Sequence, residues 1–292
     1  MRFSSLILAV VALLAPNFSS VCHASTDVAE SPRPAARIQA LDHADQKAVK
    51  QFLVSLLDRS QEDEFFWVGS YRVVDLDGDG VPELIVALDF SGRAFFNTLR
   101  VVWAEGPGFR VQDLPAWNLG SLAGIVSDLN SDGKMELILP QELTPYLGSR
   151  PMATWRAVYT LDSNLRYRKR SERFKEFYDT HELPRIAAEI DRNTTNAGLQ
   201  SRSAMSDRLL VLQIERDKIH RILGDDPEAG LATALECSTS GDPTRRLLAV
   251  GVLADIGNPR AREALKVLAR DAIRDVAVQA ASALTAGSED PD

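Results

Sequence analysis

The stretch "VVDLDGDGVPELIVAL", residues 73–88, sets three aspartates into five positions between runs of strand-forming residues. Like charges that close repel one another even near a protein surface, so Asp75, Asp77 and Asp79 call for a cation among them. The arrangement returns 53 residues later in "VSDLNSDGKMELILPQ". There Asp75 becomes Asp128, Asp77 becomes Asn130, Asp79 becomes Asp132, Gly80 becomes Gly133 and Glu83 becomes Glu136. An internal repeat of this length is that of a propeller blade.

Each loop sits between the first two of four β-rich runs. The first unit reads "SYRVVDL", "ELIVALDF", "AFFNTLRVVWAE" and "GFRVQDL"; the second reads "AGIVSDL", "MELILPQEL", "TWRAVYTL" and "LRYRKRS". Gly-containing turns and one Pro-rich stretch, "TPYLGSRP", separate them, so two four-stranded antiparallel meanders are expected.

Within the loops, oxygen side chains at positions one, three, five and nine point into the concavity of a curled backbone. Glycine at six permits the sharp turn, and a main-chain carbonyl at seven, Val81 or Lys134, adds a ligand. This is the outline of one calcium site per unit. An EF-hand is excluded, because its twelfth position would be Val86 or Leu139, inside an apolar strand. The same Asp-Gly pairs also make good hairpin turns with solvated aspartates, and the residues alone leave that alternative open.

The pattern Asp-x-Asp/Asn-x-Asp-Gly-x-x-Glu-Leu between the first strands of a blade-like unit resembles the FG-GAP or VCBS repeats of bacterial secreted proteins. The resemblance covers about residues 70–170 in two copies. It implies calcium at Asp75, Asp77, Asp79 and Glu83, and at Asp128, Asn130, Asp132 and Glu136, to which the carbonyls of Val81 and Lys134 add. A closed propeller needs about four to eight blades. Two units therefore leave two arrangements, a ring closed between chains or, the one expected here, a partial arrangement with helices covering the free sheet faces and edges.

Helical periodicity flanks the β region. From Asp42 to Arg59, Val49, Phe52, Leu53, Leu56 and Leu57 form one apolar face, while "STDVAESPRPAARI" before it reads as a linker. After Arg170, Phe174, Tyr178, Leu183, Ile186 and Ile190 continue at helical spacing, with a break expected at Pro184. Further on, Asp242, Arg245 and Ala249 recur 29 residues later as Asp271, Arg274 and Val278. Asp caps, small residues and Leu/Val stripes make a pattern of stacked helix pairs. That stretch, about residues 225–287, resembles short HEAT-like repeats of the type also found in phycobilisome lyases. The resemblance implies a surface for a protein partner and carries over no lyase activity.

Residues 1–24 read as a secretory signal: Arg2, the apolar "LILAVVALLA", and a small-residue cleavage site ending at Ala24. Its apolar run, roughly 10–14 residues, is too short to span a bilayer, so no transmembrane helix is expected in the mature protein. Val21 before Cys22 fits a lipoprotein signal poorly. Removal of the segment leaves Cys237 as the single thiol, which suits a periplasmic or secreted bacterial protein without disulfides. The net charge of −8 disfavours a general nucleic-acid or polyanion role, although "RYRKRSERFK" is a local basic run.

The search for catalytic chemistry is negative at the level of motifs. His43, His181 and His220 are scattered, "GSLAG" has its serine in the wrong place for a nucleophile elbow, and "GPGF" is no dinucleotide loop. His181-Glu182, beside Pro184, reads as a solvated turn. The fold expected is α+β: signal 1–24, linker 25–40, β domain with N-terminal helix 41–170, helical connector 171–222 and HEAT-like domain 223–292. The function expected is that of an exported, non-enzymatic calcium-binding scaffold whose helical repeats or β loops bind protein, or a glycan. The competing reading is an envelope hydrolase with structural calcium and scattered carboxylates such as Asp89, Glu105 and Glu182.

Overall fold

The computed structural model describes residues 33–56, 66–92, 96–144, 146–147, 150–151, 153–195 and 202–286. The signal segment, Cys22 and residues 25–32 of the linker lie outside them. The last linker residues are helical: Pro34–Gln39 forms α1, opened by a proline whose missing N–H costs nothing there, and Ile38 is fully buried. The amphipathic stretch gives α2 (Gln46–Val54), where the Asp45 carboxylate caps the first turn by accepting from the Ala48 N–H at 2.7 Å.

Four antiparallel strands follow: β1 (Trp67–Val74), β2 (Glu83–Asp89), β3 (Thr98–Glu105) and β4 (Gly108–Pro115), in that spatial order. The second unit repeats the meander with β5 (Val126–Ser127), β6 (Glu136–Glu142), β9 (Thr154–Leu161) and β10 (Tyr167–Lys169). Between β6 and β9 the Pro-rich stretch forms a separate two-stranded hairpin, β7 (Tyr146–Leu147) and β8 (Arg150–Pro151).

The central strand explains the layers. Every residue of β2 is buried, so it lacks polar alternation and must be covered on both faces. Leu84, Val86 and Leu88 join Ile38, Val49, Phe52 and Leu53 of the N-terminal helices in one core. Ile85 and Ala87, with Leu99, Val101 and Trp103 of β3, share a second core with Leu137, Leu139 and Ala157 of the other sheet. The first sheet is thus sandwiched between α1/α2 and the second sheet.

The second sheet is covered in turn by helices. A 3-10 turn (Ser171–Arg173) leads into α3 (Lys175–Phe177), a π turn (Tyr178–Glu182) and α4 (Leu183–Thr195). The expected break at Pro184 does not occur. Proline removes one backbone bond and crowds the preceding turn, and the wider π turn just before it accommodates both defects within a continuous helix. Glu182 is buried rather than solvated, bonded to Arg156 of β9 at 3.3 Å and to Arg185 at 3.0 Å.

Helix α5 (Arg202–Leu223) packs on β9 and leads to α6 (Leu231–Ser238), α7 (Pro243–Ile256), α8 (Pro259–Leu268) and α9 (Arg274–Ala286). They pair α6 with α7 and α8 with α9, and the pairs stack α7 on α9 and α6 on α8. The 29-residue repeat is visible in the caps. Asp242 Oδ1 accepts from the Thr244 N–H at 2.9 Å, and Asp271 Oδ1 from the Ile273 N–H at 2.8 Å. Cys237 is buried in α6 as a free thiol. No helix among the described residues is long and apolar enough to cross a membrane.

Helix α5 also ties the stack to the sheets. Lys218 Nζ lies 4.7 Å from the centre of the Trp155 ring and donates to Asp255 of α7 at 2.5 Å; Arg221 donates to the same carboxylate at 2.7 Å. Burial works to raise the Asp255 carboxyl, but the charges and hydrogen bonds of Lys218 and Arg221 outweigh it and hold the group below the ordinary value of 3.8. A depressed carboxyl adds stability that is present above its unfolded value and lost as pH falls through its folded one. Asp255→Asn is therefore expected to cost about 3 kcal/mol at pH 7, because two largely buried cations lose their counter-charge. In urea melts against pH, the gap to wild type should close below the ordinary Asp range; a gap independent of pH would refute the ion-pair account.

Candidate metal centre

Both acidic loops are built on the same hydrogen bonds. Val74 pairs with Glu83 across the first hairpin and Ser127 with Glu136 across the second, so each loop closes at its position-nine glutamate. That side chain turns back into the loop. Glu83 Oε2 accepts from the Leu76 N–H at 2.7 Å, and Glu136 Oε2 from the Leu129 N–H at 2.8 Å.

The first aspartate gathers the turn. Asp75 accepts from the Gly78 and Gly80 N–H groups at 2.8 and 2.9 Å; Asp128 accepts from Asp132 and Gly133 at 3.1 and 3.0 Å. Asp79 accepts from the Val81 N–H at 2.6 Å and Asp132 from the Lys134 N–H at 2.8 Å. Gly80 and Gly133 both have φ +82°, the left-handed conformation that position six requires. Ser131 adopts φ +58° where the first loop has Gly78, a conformation unusual for a residue with a side chain.

The loops also touch each other, which the spacing of residues does not reveal. The Met135 N–H donates to the Leu76 carbonyl at 2.8 Å, and a Cβ on Gly78 would lie 2.6 Å from the Gly133 carbonyl oxygen. Tyr167 of β10 locks this junction, donating its hydroxyl to the Met135 carbonyl at 2.9 Å. Its phenol is raised far above the ordinary range by burial first, then by the charges of Glu83, Glu136 and Asp77. A lone aromatic among the cations of "RYRKR" marks an inward side chain but not the group it reaches. Gln112 of β4 completes the link by accepting from the Tyr167 N–H and donating to its carbonyl, both at 2.9 Å.

In charge the loops differ. One carboxylate oxygen from each of Asp75, Asp77 and Glu83 falls within 4.8 Å of the others, the only such grouping of acids among the described residues. Among the described residues, no Lys or Arg is bonded to the first loop's carboxylates. Burial, then repulsion from Asp77, Asp79 and Asp75, pushes the Glu83 carboxyl up to about 8 without a cation. Asp77 is raised too, by burial first and then by Asp79 and Asp75. The donor set is three hard oxygen ligands on a glycine-bearing turn, with the Asp79 side chain and the Val81 carbonyl next in the chain, and it fits a calcium-sized cation.

In the second loop Asn130 replaces a carboxylate, and its amide donates to Asp132 Oδ2 at 3.1 Å. Glu136, fully buried, is raised chiefly by burial, with Asp132 and Asp128 adding to it. Asp128, Asn130, Asp132 and Glu136 thus lie on a less charged copy of the loop, outside the one acid grouping found among the described residues. The carboxylates of the competing reading lie apart. Asp89 binds Ser91 at the far end of β2, Glu105 sits with Arg110 at the other end of the sheet, and Glu182 is sequestered by two arginines.

The loop junction makes a differential prediction. Gly80→Ala should cost about 1–2 kcal/mol through left-handed backbone strain alone, since nothing lies within 4 Å of its Cβ position. Gly78→Ala should cost clearly more, because a backbone carbonyl blocks it. Urea unfolding in the presence of chelator measures both, and equal losses would mean that the loops do not pack together in solution.

Residues 66–139 match a family model described as an FG-GAP-like repeat. No curated protein and no solved structure matched the chain. The match runs from the start of the first sheet through the second loop into β6, so the segment similar to FG-GAP repeats is the one that holds both acidic loops together.

Proposed function

We propose that this chain is an exported, non-enzymatic scaffold whose two acidic loops bind calcium and whose helical stack and β loops engage a protein partner. The FG-GAP-like repeat supports a protein-interaction role. The observation that carries the calcium reading is the convergence of Asp75, Asp77 and the buried Glu83, with no Lys or Arg bonded to them among the described residues. A divalent ion there would remove the repulsion among them and clamp the loop at the junction of the two sheets.

The first site draws on Asp75, Asp77, Asp79 and Glu83 with the Val81 carbonyl. The second draws on Asp128, Asn130, Asp132 and Glu136 with the Lys134 carbonyl, and binds more weakly because it has one negative charge fewer. The stacked pairs α6/α7 and α8/α9 support a short HEAT-like solenoid. The export segment at residues 1–24 supports a periplasmic or secreted location.

Calcium calorimetry combined with thermal melts tests the proposal. Two ions are expected, with a gain of about 2.7 kcal/mol for a site held at 100 times its dissociation constant. Asp77→Ala should abolish the tighter event and Asp132→Ala the weaker one. Absence of binding heat, together with melting unchanged by chelator, would reduce both loops to acidic hairpin turns.

A further inference from the structure

The bridge between the two acidic loops joins residues that lie between candidate metal ligands. Leu76 stands between Asp75 and Asp77; its N–H donates to Glu83 Oε2 at 2.7 Å, and its carbonyl accepts from the Met135 N–H at 2.8 Å. Met135 stands between Lys134, whose carbonyl is the seventh-position donor group, and Glu136. The Met135 carbonyl accepts in turn from the Tyr167 hydroxyl at 2.9 Å. One line of hydrogen bonds therefore runs from Glu83 through the peptide groups of Leu76 and Met135 to Tyr167. Beside it, Gly78 packs so closely on the Gly133 carbonyl that no side chain fits there.

The internal repeat isolates what the Met135 N–H is for. The eighth position of the first loop is Pro82, which has no N–H, yet that loop closes on Glu83 just as the second closes on Glu136. The turn itself thus needs no donor at this position. In the second loop the donor is spent on the first loop.

We propose that Met135 is a positioning residue that couples the two loops, so that an ion in the first raises the affinity of the second. This rests on the calcium reading above. In the first loop without an ion, Asp75, Asp77, Asp79 and Glu83 repel one another, and that repulsion works against the Glu83 bond that places Leu76. An ion relieves it and fixes the Leu76 carbonyl, which holds Met135 and the ligand groups on either side of it. The second ion then meets a loop whose ordering cost is already met. Repulsion between two divalent ions opposes this effect and is screened by salt. Asp75, Asp77, Asp79 and Glu83 together carry more charge than one such ion neutralises, so the filled first loop still attracts cations.

The test is calcium calorimetry on the full chain and on Asp77→Ala and Asp132→Ala, each of which leaves one site intact. The product of the two wild-type association constants should exceed the product of the two variants' constants by about fivefold or more, a factor that by linkage belongs to both loops alike. Met135→Pro, which installs the residue the first loop has at that position, should remove the excess when the same cycle is run on it. Met135→Leu keeps the N–H and should preserve it. Amide exchange gives a second readout that needs no proline variant. In Asp132→Ala, where only the first loop fills, calcium should slow exchange of the Met135 N–H by about tenfold or more. A wild-type product equal to or below that of the variants, an excess that survives Met135→Pro, or Met135 exchange unchanged by calcium would each overturn the coupling and leave two independent calcium loops. Absence of any binding heat would overturn the coupling and the calcium reading together.

Discussion

Two carboxyl groups, those of Glu83 and Glu136, are buried at the first residue of their strands and turned back onto the N–H groups of Leu76 and Leu129. A buried acid needs hydrogen bonds to offset its lost hydration, and a backbone donor seven residues earlier supplies one. Each bond curls the loop and sets the start of the hairpin. With the loops curled, the Met135 N–H reaches the Leu76 carbonyl and the two hairpins meet backbone to backbone. The facing of the two sheets, and the placement of Tyr167 between them, follow from that contact.

Two four-stranded sheets packed on each other leave their outer faces exposed, and the chain covers them with helices. Helices α1 and α2 cover the outer face of the first sheet, while α3 to α5 cover the second. From Arg33 onward the contacts are continuous, so the helical stack is no appendage on a linker. Lys218, Arg221 and Asp255 anchor α7 through α5 to Trp155 of β9. Gln279, Ser282 and Thr285 stand in α9 where α7 has Val250, Leu253 and Ile256, so the repeat keeps its caps while its side chains diverge.

The repeat of Asp75 as Asp128 made both meanders and both loops legible, because turn chemistry and strand period are local properties. The helix pairs were legible for the same reason, through Asp242 and Asp271. What escaped was tertiary. Nothing in the period of "RYRKRSERFK" says that Tyr167 reaches the Met135 carbonyl where the loops meet, or that Gln112, 55 residues earlier, bonds both of its backbone groups. Pro184 misled because the rule for a proline within a helix assumes an α turn before it, and here the turn is π. Ile38 was assigned to a linker because one buried residue in a single-turn-scale helix leaves no periodic signal.

The comparison between the loops separates what the turn needs from what it does not. Asn130 Oδ1 accepts from the Asp132 N–H at 3.1 Å, as Asp77 Oδ1 accepts from the Asp79 N–H at 3.3 Å. A neutral amide therefore folds the loop as well as a carboxylate does. The negative charge of Asp77 is therefore not needed for the turn, and it raises the cost of burying Glu83 through repulsion. A fold selected for stability alone would place asparagine in both loops. Retaining Asp77 beside a buried glutamate makes physical sense when a cation supplies the missing charge, and the first loop is where the carboxylate oxygens converge to hold one.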